Sequence, residues 1–138
     1  MESQAHINLV NIALQYIKNV IPAENYELIQ MDSAGSNNAI KIIGNYVPDI
    51  YYKYDGKLII GEAKTINDFD RTHSQNQFDA YINECELFDG EALLVVSVPW
   101  QLVSTAKNQF RRIKSNKNIQ TRVIVINEIG RCFEVWAE

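Results

Sequence analysis

The sequence predicts an α/β fold, a mixed central sheet flanked by helices, and three observations carry that prediction. Apolar residues recur at helical spacing in three separate stretches. Two continuous runs, Leu58-Ile59-Ile60 and Ala92 to Val98, have the β-branched composition of strands covered on both faces. Asp55-Gly56, between residues of high strand propensity, is the strongest hairpin signal in the chain. Strands that alternate with helices in this way call for helices on both sides of a sheet.

Taken in chain order, Ile7, Val10, Leu14, Ile17 and Ile21 place a first helix over residues 4–21, stopped by Pro22. Residues Tyr26 to Met31 suit a short strand. Asp32 to Asn38 is dense in residues that form side-chain turns or tolerate positive φ, and Gly35 between two serines offers backbone N–H groups to an anion or simply makes a turn. Strands are expected at Ile40–Ile43, Asp49–Tyr54 and Leu58–Lys64. A second helix starts between Asp70 and Gln75, buries Phe78, Ile82 and Cys85, and ends at Asp89-Gly90. The run from Ala92 to Val98 is a buried strand. A third helix, 101–114, turns Leu102, Ala106, Phe110 and Ile113 inward, and strands at Val123–Ile126 and Cys132–Trp136 close the order α-β-β-β-α-β-α-β-β.

Length and composition bound the rest. The chain of 138 residues, 46% hydrophobic and 22% charged, fits one domain spanning 1–138 with a core of its own. No apolar run approaches the ~20 residues that span a bilayer. The opening residues MESQAHIN lack both a basic and an apolar segment, which points to the cytoplasm and away from membranes. Cys85 and Cys132 have no neighbouring Cys or His at metal-ligand spacing, and His6 and His73 are the only histidines. A zinc ribbon or disulfide scaffold is excluded, and a metal, if any, is expected on oxygen ligands.

The chemistry concentrates in the predicted hairpin. Glu62 and Lys64 alternate with Ala63 along one strand and therefore share a face. Counting outward from Asp55-Gly56, Tyr54 pairs with Lys57 and Asp49 falls opposite Glu62. Directly opposed residues have Cβ atoms about 5 Å apart. Two carboxylates so close repel unless a cation lies between them. A hard divalent ion, Mg²⁺ or Mn²⁺, meets that need, with Asp49, Glu62 and the Ala63 carbonyl as ligands. Lys64 would orient water or neutralise a phosphate, the chemistry of metal-assisted phosphodiester hydrolysis. The competing reading is a cross-strand ion pair on a solvated sheet face; the apolar run before Glu62 weighs against it, because unpaired charge on a central strand is costly.

Pro48-Asp49, twelve residues, then Glu62-Ala63-Lys64 resembles the signature of the PD-(D/E)xK nuclease superfamily, and the element order resembles its restriction-endonuclease-like αβββαβ core. Gln77-Phe78-Asp79-Ala80-Tyr81 is similar to the QxxxY motif of its RecB-like branches, and Thr65 with Asp68 or Asp70 fits the pattern between the two motifs. The likeness covers roughly residues 1–100. It implies Asp49 and Glu62 as metal ligands, Lys64 as the catalytic lysine, and Gln77 and Tyr81 as groups that orient the site. Gln75, next to Ser74, competes with Gln77, and Tyr81 has an alternative role as a plain packing aromatic. Many members add an acid from the first helix; here the candidates are Glu2, Glu24 and Glu27, the last two beyond Pro22.

The net charge of −4 hides an asymmetry. Residues 101–122 hold Lys107, Arg111, Arg112, Lys114, Lys117 and Arg122 and no acid, which leaves the remainder with seven basic against seventeen acidic residues. Lys107, Arg111 and Lys114 project within about 60° of one another on a helix. They form either a solvated face or a phosphate-binding stripe beside the acidic site. The expected partner is nucleic acid, with DNA as the expected substrate, cut by an endonuclease of restriction-like or junction-resolving type. A homodimer joined at the last strand through Phe133 and Trp136 would address two strands. The alternative is a regulatory or nucleic-acid-binding module that keeps the fold without catalysis.

Overall fold

Among the described residues six strands form one mixed sheet whose spatial order repeats their order in the chain. The computed structural model describes residues 3–32 and 41–136. Helix α1 (Gln4–Val20) begins at Ser3, whose side chain accepts the His6 N–H, so one of the unpaired donors of the first turn is satisfied. Pro22 ends it and presets the backbone for a short 3₁₀ helix, Ala23–Leu28. Strand β1 (Gln30–Met31) pairs antiparallel with β2 (Ile50–Tyr54), and β2 with β3 (Lys57–Ala63). Helix α2 (Arg71–Leu87) carries the chain back to β4 (Glu91–Ser97), parallel to β3. Helix α3 (Trp100–Lys117) does the same before β5 (Arg122–Ile126), and β6 (Cys132–Val135) returns antiparallel at the edge.

The hairpin register is the one that Asp55-Gly56 dictates. Both residues have positive φ, 52° and 73°, as a two-residue type I′ connection requires, and Tyr54 faces Lys57. Four pairs later Ile50 faces Gly61, so Asp49 stands one step outside β2, level with Glu62.

Side chains alternate between two cores. Ile50, Tyr52, Ile59, Ala63, Leu93 and Val95 pack under α1 through Leu9, Ala13 and Ile17. On the opposite face Leu58, Ile60, Leu94 and Val96 meet Phe78, Tyr81 and Ile82 of α2 and Ala106, Phe110 and Ile113 of α3. Among the described residues no helix is long and apolar enough to cross a membrane.

Two expectations are corrected. The strand expected over Tyr26–Met31 is reduced to its last two residues, because the segment after Pro22 coils into 3₁₀ helix, fastened where the Tyr26 hydroxyl donates to Lys18 O at 2.7 Å. The third strand of the meander is therefore β1. The strand expected at Ile40–Ile43 is absent from residues 41–43. Instead Ile43 and Tyr46 exchange backbone hydrogen bonds of 2.8 and 3.0 Å around Gly44, whose φ of +63° suits glycine. Ile40 and all but the first residue of the turn at Asp32–Asn38, Gly35 included, lie outside the described residues.

Candidate active site

The hairpin delivers two acids and a lysine to the end of the sheet where β3 runs out. Asp49, Glu62 and Lys64 are 7%, 5% and 7% exposed, so all three charges are largely withdrawn from water. Asp49 Oδ2 accepts the Ala63 N–H at 2.8 Å, which locks the carboxylate across the strand terminus. Glu62 points to the α2 face. There its Oε1 accepts the Tyr81 hydroxyl at 2.9 Å, and the same hydroxyl accepts from Gln77 Nε2 at 3.0 Å. Gln77 and Tyr81 are one helical turn apart and so reach one point together. Lys64 Nζ stands 3.9 Å from Glu62 Oε2.

Burial holds the Glu62 carboxyl well above the usual range, and the charge of Asp49 adds to the effect; Lys64 and the Tyr81 hydroxyl oppose it. Asp49 also faces Glu62 closely enough for the two carboxyls to interact directly. Burial, then the charge of Glu62, pushes the Tyr81 phenol up and keeps it a donor.

Of the expected site residues, Asp49, Glu62, Lys64, Gln77 and Tyr81 come together. Ala63 joins them through its N–H. Between the two glutamines the geometry favours Gln77, which is buried, over Gln75, which is exposed. Tyr81 packs in the core and binds Glu62 at once. Thr65 Oγ1 accepts the Asp68 N–H, and Asp70 caps α2 by accepting the His73 N–H, so both hold the connection between the motifs in place. Glu24 and Glu27 are exposed in the 3₁₀ helix beyond the far end of α1, about 25 Å of helix from Ser3. Glu2 lies outside the described residues.

His6 is the residue that sequence reasoning missed. It sits in the first turn of α1 with Nε2 3.3 Å from Asp49 Oδ2. A search of that helix for carboxylates alone passes over it. Among the described residues no three His, Cys, Asp or Glu side chains form a group ready to hold a metal ion. Asp49 and Glu62 are the pair that could begin one. On α2 the buried Gln77 Oε1 and, one turn earlier, Ser74 Oγ have no hydrogen-bond partner among the described residues.

The basic helix is corrected in two respects. Lys114 is buried, donates to Val135 O at 3.1 Å, and has its pKa lowered by that burial, so it belongs to the interior rather than to an exposed stripe. Lys107 lies 4.9 Å from the Phe133 ring centroid, and Arg111 bonds Asn108 at 3.3 Å. These contacts put Lys107 and Lys114 against β6, three strands or about 14 Å across the sheet from Glu62. Phe133 is half-buried between Lys107 and Arg131, while Trp136 is 66% exposed.

The chain has no significant match among protein-family models, curated protein sequences or solved structures.

Proposed function

We propose that this chain is a metal-dependent nuclease with a restriction-endonuclease-like core, hydrolysing phosphodiester bonds of DNA as an endonuclease. One observation carries the reading: Asp49 and Glu62 are both buried at level positions of the hairpin, with Lys64 Nζ 3.9 Å from Glu62 Oε2. Stability alone disfavours such a cluster, since burial and mutual repulsion both oppose charging two neighbouring acids. A divalent cation, Mg²⁺ or Mn²⁺, would offset it, and the donor set of two carboxylates suits a hard ion.

When bound, that ion would supply positive charge at the scissile phosphate and acidify water. The chain's own residues supply the rest. The Ala63 N–H fixes Asp49, and Tyr81, itself held by Gln77, fixes Glu62. Lys64 presents a compact ammonium to the charge that builds on phosphate oxygens during attack.

The test is incubation with single-stranded, duplex and branched DNA in Mg²⁺ or Mn²⁺. Cleavage should occur with the wild type and be lost in EDTA, Asp49→Ala and Lys64→Ala. Salt-sensitive binding without cleavage under any of these conditions would replace this reading with that of a nucleic-acid-binding module.

A further inference from the structure

A trough outside the candidate site carries chemistry that hydrolysis itself does not use. We propose that α1 and the β5–β6 turn form a base-binding groove, which takes unstacked bases of a single strand of the substrate DNA where it leads away from the scissile phosphate. This inference rests on the nuclease reading above and names the form of nucleic acid that the site accepts.

Among the described residues two cavities adjoin each other along α1. The near one, of about 390 Å³, opens at Thr65, the residue that follows Lys64, and runs past Asn8 to Ile12 and Glu128. The far one, of about 400 Å³, continues from Ile12 and Glu128 past Gln15, Tyr16 and Asn19 to the turn at Gly130. Because they share two residues, they make one groove that starts beside the candidate active site. Each half falls in the range of roughly 300–1,000 Å³ that small ligands occupy, and so has room for a nucleobase.

The lining decides what fits. None of the described lining residues is Lys or Arg, so nothing there would neutralise a phosphate. The one charged lining residue, Glu128, is engaged at the start of α3, where its two carboxylate oxygens accept the Trp100 N–H at 3.1 and 3.2 Å. What remains is neutral: the amides of Asn8, Asn11, Gln15 and Asn19, the half-buried Tyr16 ring, and isoleucine side chains. An amide donates and accepts at once and so pairs with base edges, while an aromatic face stacks any base. Asn11, Gln15 and Asn19 follow one another at steps of four residues, about 6 Å along the helix axis. Stacked bases rise only about 3.4 Å. One amide can therefore address one base only where the bases have left their stack, which a single strand permits and a paired duplex does not.

The test separates binding from cleavage. Fluorescence anisotropy follows the whole chain, with Ca²⁺ present to neutralise the acids, against four probes: a mixed-sequence single-stranded DNA of about 12 nucleotides, its duplex, the same sugar–phosphate chain without bases, and adenosine monophosphate. The single strand should bind at least about tenfold more tightly than the duplex or the base-free chain. The pair Gln15→Leu with Asn19→Leu, and separately Tyr16→Leu, should each weaken single-strand binding about fivefold or more and leave the duplex within about threefold. Tyr16→Phe, which keeps the ring, should bind like the wild type, with every fold checked by circular dichroism. A base-free chain that binds as well as the strand, or variants that leave the strand's affinity unchanged, overturns the groove and leaves the nuclease reading to its own cleavage test. Adenosine monophosphate bound as tightly as the strand makes a free nucleotide the occupant and overturns the proposal. Strand binding that needs the bases, Gln15 and Asn19, in a chain that cuts nothing with Mg²⁺ or Mn²⁺, upholds the groove and overturns the nuclease reading instead.

Discussion

Glu62 is the residue where the conflict between stability and chemistry is sharpest. Its pKa in the folded chain is raised, first by burial and then by Asp49, so folding takes up a proton there. The favourable contribution is therefore present below the ordinary glutamate range and is lost as pH climbs through the raised value. Without divalent ions, the chain should melt at progressively lower temperature as pH rises from about 5 toward 8. Glu62→Gln should flatten that slope and stabilise the metal-free protein at neutral pH by about 1 kcal/mol, or ~4 °C in Tm. Thermal melts across pH decide it; a less stable Glu62→Gln protein at neutral pH would show that the carboxylate is satisfied as it stands. Tyr81→Phe removes the one hydroxyl that joins Gln77 to Glu62. It should weaken divalent-cation binding about 10–100-fold, the range found for groups that orient a ligand, with a stability loss of about 1–2 kcal/mol. The acids and the lysine were legible in the sequence because strand alternation and a two-residue turn fix their register without any tertiary information. His6 was not, because nothing local says that the start of a helix folds back on residue 49.

At the level of elements, the hairpin and α1 meet at Gly61. A Cβ there would lie 3.0 Å from the Ile50 Cβ and 3.3 Å from the Ile17 Cδ1. Gly61→Ala should therefore push α1 off the sheet and cost about 1–3 kcal/mol, measured by urea unfolding. Helix α2 is tied to the α3–β5 connection by Glu86, whose carboxylate accepts from the N–H groups of Gln120 and Thr121 and from the Thr121 hydroxyl. Burial pushes that carboxyl up, yet these bonds outweigh it and hold it below its usual range. Glu86→Ala should cost about 1–3 kcal/mol and quicken amide exchange at Gln120 and Thr121, while Asp49 and Glu62, which meet α2 at Gln77 and Tyr81, are undisturbed. The three helices and the strands from Asp49 onward were legible because each carries its own period or turn. The short elements were not: after Pro22 a 3₁₀ helix competes successfully with a strand, and residues 41–46 close on themselves around Gly44 instead of joining the sheet. Lys114 misled for a related reason, since its helix position alone does not reveal that β6 packs over it.

For the molecule as a whole, a cation that binds only the folded state adds to stability by mass action. At a hundredfold excess over its dissociation constant, Mn²⁺ should stabilise the chain by about 2.7 kcal/mol. Asp49→Asn should abolish that gain, and a melt insensitive to Mn²⁺ and Mg²⁺ would argue against a cation site. The sheet itself has a further property: every pair of spatial neighbours is also a pair of successive strands. No strand has to slide between two that are already joined. As the polypeptide is synthesised, the ribbon can zip up one ladder at a time, and the acids at the open end of the β2–β3 hairpin are aligned before the last three strands have been made.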